Sequence, residues 1–259
     1  MSLAAEEIKA CCAAAYGSPA ARILLGESFH PGGATLTRDL IRALRLGAES
    51  AAVDVASGPG TSALLLARET GATVIGVDLS PVNVAEAALA AEAARLADRV
   101  SFVCGDAEAL PLDDASVDGV LCECALCTFP DKPAAVRELA RVLRPGGRLA
   151  LSDMTGEPAR LPEQLRTVQA WVACIADVRP LDDVAALLGR EGFAVDPPQR
   201  HDDALAALLD RVEARLQVLA MAGIATAGEV EQGSSLVALA RAAVAAGTLG
   251  YGSVSATRG

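Results

Sequence analysis

Lysine is almost missing from this 259-residue chain, which holds only Lys9 and Lys132 among its 22 basic side chains. The arginines that make up the rest are spread at helix-like intervals with no basic patch, and the net charge is -11 with a pI near 4.7. An electrostatic grip on DNA, RNA or an anionic membrane needs clustered Lys and Arg, so the composition excludes partners of that kind. Long apolar runs are missing as well. No stretch reaches the roughly 18 uninterrupted apolar residues of a membrane helix, and the N-terminus has no basic segment leading into an apolar one. The expectation is a cytoplasmic protein. Histidine is limited to His30 and His201, and no internal repeat or low-complexity linker divides the chain. With 52% hydrophobic residues there is ample material for one core, so a single domain over 1–259 is expected.

What is present is a regular alternation. Short Val/Leu/Ile runs at 51–55, 73–77, 100–104, 117–122 and 148–152 are separated by helical patterns, which predicts a parallel sheet with helices on both faces. The Ala-rich run from Ala85 to Leu96 predicts a crossover helix, with Pro81 in its first turn. Residues 3–16 and 34–46 carry helical apolar spacing around the turn-rich segment from Gly26 to Gly33, and predict an N-terminal helical lid over 1–46. Beyond the core at 47–155, Leu161–Ala173 and Leu181–Arg190 read as helices and Gly192–Val195 as a strand. A helical insertion at 203–220 and 234–246 then precedes a closing strand at Gly250–Ala256, all within a substrate-side region at 156–259.

The run Val53-Asp54-Val55-Ala56-Ser57-Gly58-Pro59-Gly60-Thr61 is followed, 18 residues after Gly60, by the Asp of Val74-Ile75-Gly76-Val77-Asp78. A buried strand ending in a small-residue turn lets backbone approach a ligand, and a second strand delivers a carboxylate able to accept ribose hydroxyls. That geometry suits NAD or S-adenosylmethionine. A dinucleotide turn requires G-x-G-x-x-G, whereas the spacing here is Ala56-x-Gly58-x-Gly60 with no third glycine before Leu64. Three further segments follow in order: Phe102–Ala107 with Asp106, Val117–Cys124, and Arg141–Leu149 with Pro145-Gly146-Gly147.

Over residues 50 to 155 this ordered set resembles the class I S-adenosylmethionine-dependent methyltransferases. The resemblance implies an α/β fold with a doubly wound, mostly parallel seven-stranded sheet, Rossmann-like, its last two strands pairing as an edge hairpin around the helical insertion. It implies S-adenosyl-L-methionine as cofactor, held by Asp54, Ala56, Gly58, Gly60, Thr61, Asp78, Leu79, Asp106, Ala107 and Glu123. In the family pattern Asp54 and the glycine turn underlie the methionine part, Asp78 holds the ribose and Asp106 the adenine amino group. The first glycine of the usual turn is Ala56 here, which crowds the approach slightly.

Seven cysteines, at 11, 12, 104, 122, 124, 127 and 174, are expected to be reduced thiols. Cys122-Glu123-Cys124-Ala125-Leu126-Cys127 leaves the fourth strand at the carboxyl edge where ligands bind, with Cys122 and Cys124 expected on one face. Cys124 six positions before Pro130-Asp131-Lys132, then Ser152-Asp153, Leu161-Pro162-Glu163 and Trp171-Val172-Ala173-Cys174, also resemble the arsenite methyltransferases. That resemblance implies Cys124 and Cys174 as arsenic-binding thiols, with Cys12 or Cys11 as a third. The family's remaining cysteine position, after Gly26, holds Glu27. Trivalent arsenic or another soft metalloid favours thiolates, and its lone pair attacks without a general base.

Two other readings stay open. An O- or N-methyltransferase of a small organic metabolite needs a proton acceptor, for which His30, Glu123 and Asp153 are candidates. A non-enzymatic thiolate metalloid-binding protein needs only the cysteines. His201, which opens a helix beside Asp202-Asp203, reads as a cap or surface residue.

Overall fold

The computed structural model describes residues 5–26, 28–167 and 174–259. Two helices, α1 (Ala5–Tyr16) and α2 (Pro19–Leu25), precede α3 (Gly33–Leu44). The core then alternates β1 (Ala51–Val55), α4 (Thr61–Thr70), β2 (Thr73–Asp78), α5 (Pro81–Ala93), β3 (Val100–Cys104), β4 (Val117–Glu123), α6 (Lys132–Val142) and β5 (Leu143–Gly156). The remainder comprises α7 (Leu181–Arg190), β6 (Phe193–Val195), a two-residue β7 (Gln199–Arg200), α8 (Asp202–Met221), α9 (Ala227–Ala245) and β8 (Leu249–Arg258).

The strand order is β3-β2-β1-β4-β5-β8-β6, with β7 added beside β8. The five strands of the core pair in parallel, whereas β8 runs antiparallel to β5 and to β6. The seven-stranded path and its edge hairpin are those expected from the alternation and the resemblance. Parallel pairing follows from the connections: each of β1, β2 and β4 leads into a helix too long for a hairpin, and the helix must cross back over the sheet. One face is covered by α3, α4, α8 and α9 through Leu40, Leu44, Leu66, Leu205 and Ala240. The other is covered by α6 and α7 through Val136, Leu139 and Leu188. Central strands facing both layers need apolar side chains on both sides, which explains the near-continuous burial of β1 and β4.

Local chemistry sets the helix starts. Pro81 occupies the first turn of α5, as expected, and Ser80 caps it by accepting a hydrogen bond from Asn83 N. Thr226 and Glu229 form a capping box that starts α9 at Ala227, earlier than the apolar spacing indicates. The helix expected from Leu161 is a single 3-10 turn at Glu163–Leu165, and its continuation to Ala173 lies outside the described residues.

Within 1–46 the helices divide by burial. α3 buries Leu36, Thr37, Leu40, Ile41 and Leu44 and so belongs to the core layer. α1 and α2 bury no residue fully. α1 rests on the turn at Leu126–Thr128 and α2 on α8, where Arg215 Nη1 donates to Leu24 O at 2.9 Å. The chain winds from β1 outward to β3, then crosses to β4 and winds the other way. The carboxyl ends of β1, β2 and β4 therefore border a crevice, and α1 lies across it.

Candidate functional site

The crevice is lined by the turn after β1, the ends of β2 and β4, the Gly105–Ala107 segment, the Phe29–His30 turn and one face of α1. Its floor is the turn. Ala56, Gly58 and Gly60 all have positive φ, at 59°, 54° and 85°. A Cβ on Gly60 would sit 2.6 Å from the Phe102 ring, so only glycine fits there. Ala56 therefore differs from the expected glycine in more than crowding, because its backbone is held in the left-handed region that an L side chain disfavours.

Asp78 is pinned by its surroundings. Gly58 N donates to Oδ2 at 2.8 Å, while Ser80 N and Asn83 Nδ2 donate to Oδ1 at 2.9 and 3.1 Å. Burial still raises its pKa despite those donors. Asp54 is 2% exposed, and its pKa is pushed well up by burial and then by the Glu123 and Asp78 carboxylates. Asp54 Oδ2, Ser57 Oγ and Asn83 Oδ1 are buried, line the crevice and have no hydrogen-bond partner among the described residues. Three orphaned polar atoms around one cavity fit a ligand carrying its own donors and a positive charge. Thr61, Leu79 and Ala107 line the same space, but Gly60 contributes only its backbone turn and is absent from the wall.

Asp106, the expected partner of the adenine amino group, lines the crevice and already accepts two hydrogen bonds, from Glu108 N to its Oδ1 at 2.9 Å and from Lys9 Nζ of α1 to its Oδ2 at 2.7 Å.

Glu123, at the end of β4, accepts from Ser62 Oγ at 2.7 Å and Thr37 Oγ1 at 3.2 Å, with His30 Nδ1 3.6 Å away. His30 is itself buried, between Pro31 O and the Thr37 hydroxyl. Asp153, the third candidate base, is an interior residue of β5. It accepts from Cys127 N and Met154 N, both at 2.7 Å, and lies outside the crevice wall. Burial raises its pKa to about 7. His201 is bonded to Ser253 Oγ at 2.8 Å, away from the crevice.

The cysteines sort by position. Cys122 packs into the core on the α6 face, while Cys124 and Cys127 pack on the opposite face with Cys174. The shared face expected for Cys122 and Cys124 is thus broken, because Cys124 lies past the strand end with φ 52°. Cys174 Sγ is 3.5 Å from Cys124 O and 3.1 Å from the Tyr16 hydroxyl of α1. Hydrogen bonds from Cys124 and Cys127, and then the Tyr16 hydroxyl and the Lys132 charge, hold the Cys174 thiol well below its usual pKa against the opposing effect of burial. Burial pushes Cys127 up. Cys12 lines the crevice, its thiol raised to about 12 by burial, whereas Cys11 is exposed. Lys132 fixes this arrangement. Its buried ammonium donates to Cys127 O, Phe129 O and Asp177, tying the loop after β4 to the segment after Cys174. Among the described residues no group of three or more His, Cys, Asp and Glu side chains is arranged to hold a metal ion. Glu27 and Trp171–Ala173 lie outside the described residues.

The sequence reading missed Lys9, Tyr16, Ser57, Ser62 and Asn83. Of these, Lys9 and Tyr16 carried a signal, since with Cys12 and Ala13 they form an i, i+3, i+4, i+7 stripe.

Comparison with known proteins agrees with this geometry. A family model described as a methyltransferase domain matches residues 53–151. The O-methyltransferase rstn1 of Aspergillus nomiae is 33% identical over 166 residues, 62% of this chain and 71% of the relative. An arsenite methyltransferase of Halobacterium salinarum is 35% identical over 144 residues, 54% of this chain and 36% of the relative. The chain spans 36% to 59% of the length of the first curated relatives it matches. Among solved structures, a Haemonchus contortus phosphoethanolamine N-methyltransferase 2 in complex with S-adenosyl-L-methionine superposes with a TM-score of 0.77 at 19% identity, covering 95% of this chain and 56% of the other, a likeness of fold. By the extent of its match to rstn1, and by the family model over its parallel core, the chain belongs to the S-adenosylmethionine-dependent methyltransferases.

Proposed function

We propose that this chain transfers a methyl group from S-adenosylmethionine to a small thiol-seeking acceptor, trivalent arsenic or a similar soft metalloid. The observation that carries this reading is the cluster of Cys124, Cys127 and Cys174 at the end of β4, beside the crevice and in contact with α1 through Tyr16.

The cofactor supplies a methyl group activated on a positively charged sulfur. The orphaned Asp54 Oδ2 and Ser57 Oγ suit its amino-acid part, and Asp78 retains one free acceptor position on Oδ2 for a ribose hydroxyl. Leu79 and Ala107 would flank the adenine, whose amino group would share Asp106 with Lys9. On the acceptor side, Cys174, whose thiol its neighbours hold below the usual pKa, would be the first ligand and Cys124 the second, with Cys12 on α1 brought in as the third by the helix that also closes the crevice. Each new bond from sulfur to the metalloid replaces one hydroxide of the acceptor, which leaves as water with that thiol's proton. Tyr16, Phe29 and Phe129 line this end and keep water away from the reacting atoms.

Methyl transfer to arsenite with excess thiol tests the reading. Cys124→Ser and Cys174→Ser should each abolish it while leaving cofactor affinity nearly unchanged, because a hydroxyl is a hard and poorly ionised ligand. Full activity in both variants would reduce the thiols to packing residues.

A second reading is favoured by the buried pair of His30 and Glu123, 3.6 Å apart on the crevice wall, and by the O-methyltransferase relative. There His30 takes the proton of an organic hydroxyl and Glu123 steadies the resulting imidazolium. Small phenols in the same assay distinguish the two, since their methylation would be lost in His30→Ala and kept in Cys174→Ser.

A further inference from the structure

Helix α1 buries none of its residues fully, and its apolar hold over the crevice is limited to Tyr16, partly buried against the core and beside the Phe29 ring. Four of its residues, Lys9, Cys12, Ala13 and Tyr16, nevertheless line that space from one helix face. The two ends of the stripe are tied down by polar contacts. At one end Lys9 Nζ lies 2.7 Å from Asp106 Oδ2 and 2.6 Å from Glu108 Oε2, with the lysine side chain only 13% exposed. At the other end the Tyr16 hydroxyl lies 3.1 Å from Cys174 Sγ.

We propose that Lys9 is a positioning residue of the cofactor site, clamping α1 across the adenine end so that S-adenosylmethionine is retained and Cys12 and Tyr16 are set at the acceptor end. The inference rests on the reading of the crevice as the cofactor site and is independent of the acceptor's identity. A lysine suits the place. Its compact ammonium has three donors and fits between two carboxylates, where the planar fork of an arginine demands a bidentate partner. In a chain that otherwise uses arginine, both lysines are ion-paired, Lys9 half-buried between two carboxylates and Lys132 buried against Asp177. The clamp also leaves room for the ligand. A carboxylate offers about four acceptor positions, of which Glu108 N and Lys9 take one each on Asp106, so an adenine amino group can share it. Removing the cation would leave the Asp106 and Glu108 carboxylates facing one another without a counter-charge.

The clamp acts after the ligand has entered, so its loss should appear in the dissociation rate. Calorimetry and stopped-flow displacement with S-adenosylhomocysteine on the full chain read this directly. Lys9→Met should weaken binding roughly tenfold, the scale of one charge-assisted hydrogen bond, with nearly all of the change in dissociation. It should also remove the slowing of hydrogen exchange over residues 5–16 that the ligand produces in the unmodified chain. Lys9→Arg, which keeps the charge but not the compact ammonium, should recover part of the affinity lost in Lys9→Met, and Glu108→Gln, which leaves Asp106 intact, should shift it less but in the same direction. These two variants carry the test if Lys9→Met does not fold. Equal or tighter binding by Lys9→Met would overturn the proposal and make Lys9 a competitor of adenine for Asp106. Unchanged ligand protection of residues 5–16 in that variant would also overturn it. An unmodified chain that fails to bind S-adenosylhomocysteine at all would remove the cofactor-site reading, and the clamp with it.

Discussion

Ala56 shows how one residue can carry strain without losing its place. Its φ of 59° lies where a Cβ meets the following carbonyl, yet the turn must bend there to bring Gly58 N to Asp78. Ala56→Gly should relieve that strain and raise the unfolding free energy by about 0.5–1 kcal/mol, less than the full left-handed penalty because glycine also loses more entropy on folding. Urea denaturation decides it, and an unchanged or lower midpoint would show that the alanine is comfortable. Residue identities at this turn were legible because only small side chains allow the approach. The donors to Asp78 are local, Ser80 N two residues on and Asn83 five, but that Asp106 would arrive already paired with Lys9 was not legible, since the two are 97 residues apart and no local pattern encodes their approach.

Among the elements, the loop after β4 and the segment following Cys174 are joined by packing of Cys127 with Cys174 and Ile175 and by the polar bridge of Lys132. Its ammonium satisfies two backbone carbonyls and the Asp177 carboxylate at once. Lys132→Met should cost on the order of 3 kcal/mol, because breaking a buried pair strands the remaining charge. It should also speed alkylation of Cys174, located by mass spectrometry. A variant as stable as the parent, with Cys174 equally protected, would mean that packing alone holds these elements. The N-terminal helices supply a second contrast. Exchange in α3 should be slow with or without S-adenosylhomocysteine, because Leu40, Ile41 and Leu44 are sealed in the core, whereas exchange in α1 should slow only with ligand. Equal ligand effects on the two helices would contradict that division. The sequence pattern marked both as amphipathic helices. Which one had a sheet to cover and which had a cavity depended on where the chain led each of them.

For the whole molecule, three buried carboxyls contribute to the pH dependence of stability, Asp54 and Asp78 in the crevice and Asp153 behind it. Asp54, Asp78 and Asp153 all have pKa values raised chiefly by burial, with Asp153 at about 7. Between the unfolded aspartate value near 4 and about 7 the folded Asp153 holds a proton that the unfolded one has lost. Its contribution to stability is therefore full at acid pH and is lost as pH rises through that window, and Asp54 and Asp78 act in the same direction. Asp153→Asn should flatten the fall in unfolding free energy between about pH 4 and pH 7, as read by denaturation at several pH values. A slope identical to that of the parent would place the Asp153 titration elsewhere. Among the described residues no helix is long and apolar enough to cross a membrane, consistent with the absence of such a run in the sequence. The sequence by itself determined the strand and helix alternation, the glycine turn and the order of the acidic positions, because hydrophobic period and small-residue spacing act over a few neighbours. Only the tertiary structure decided that Cys122 faces one layer and Cys124 the other, that Asp153 lies buried behind Cys127, and that Lys9 reaches Asp106 across 97 residues. Those outcomes depend on a strand ending one residue before Cys124 and on a helix lying across a crevice that exists only once β1, β2 and β4 are assembled.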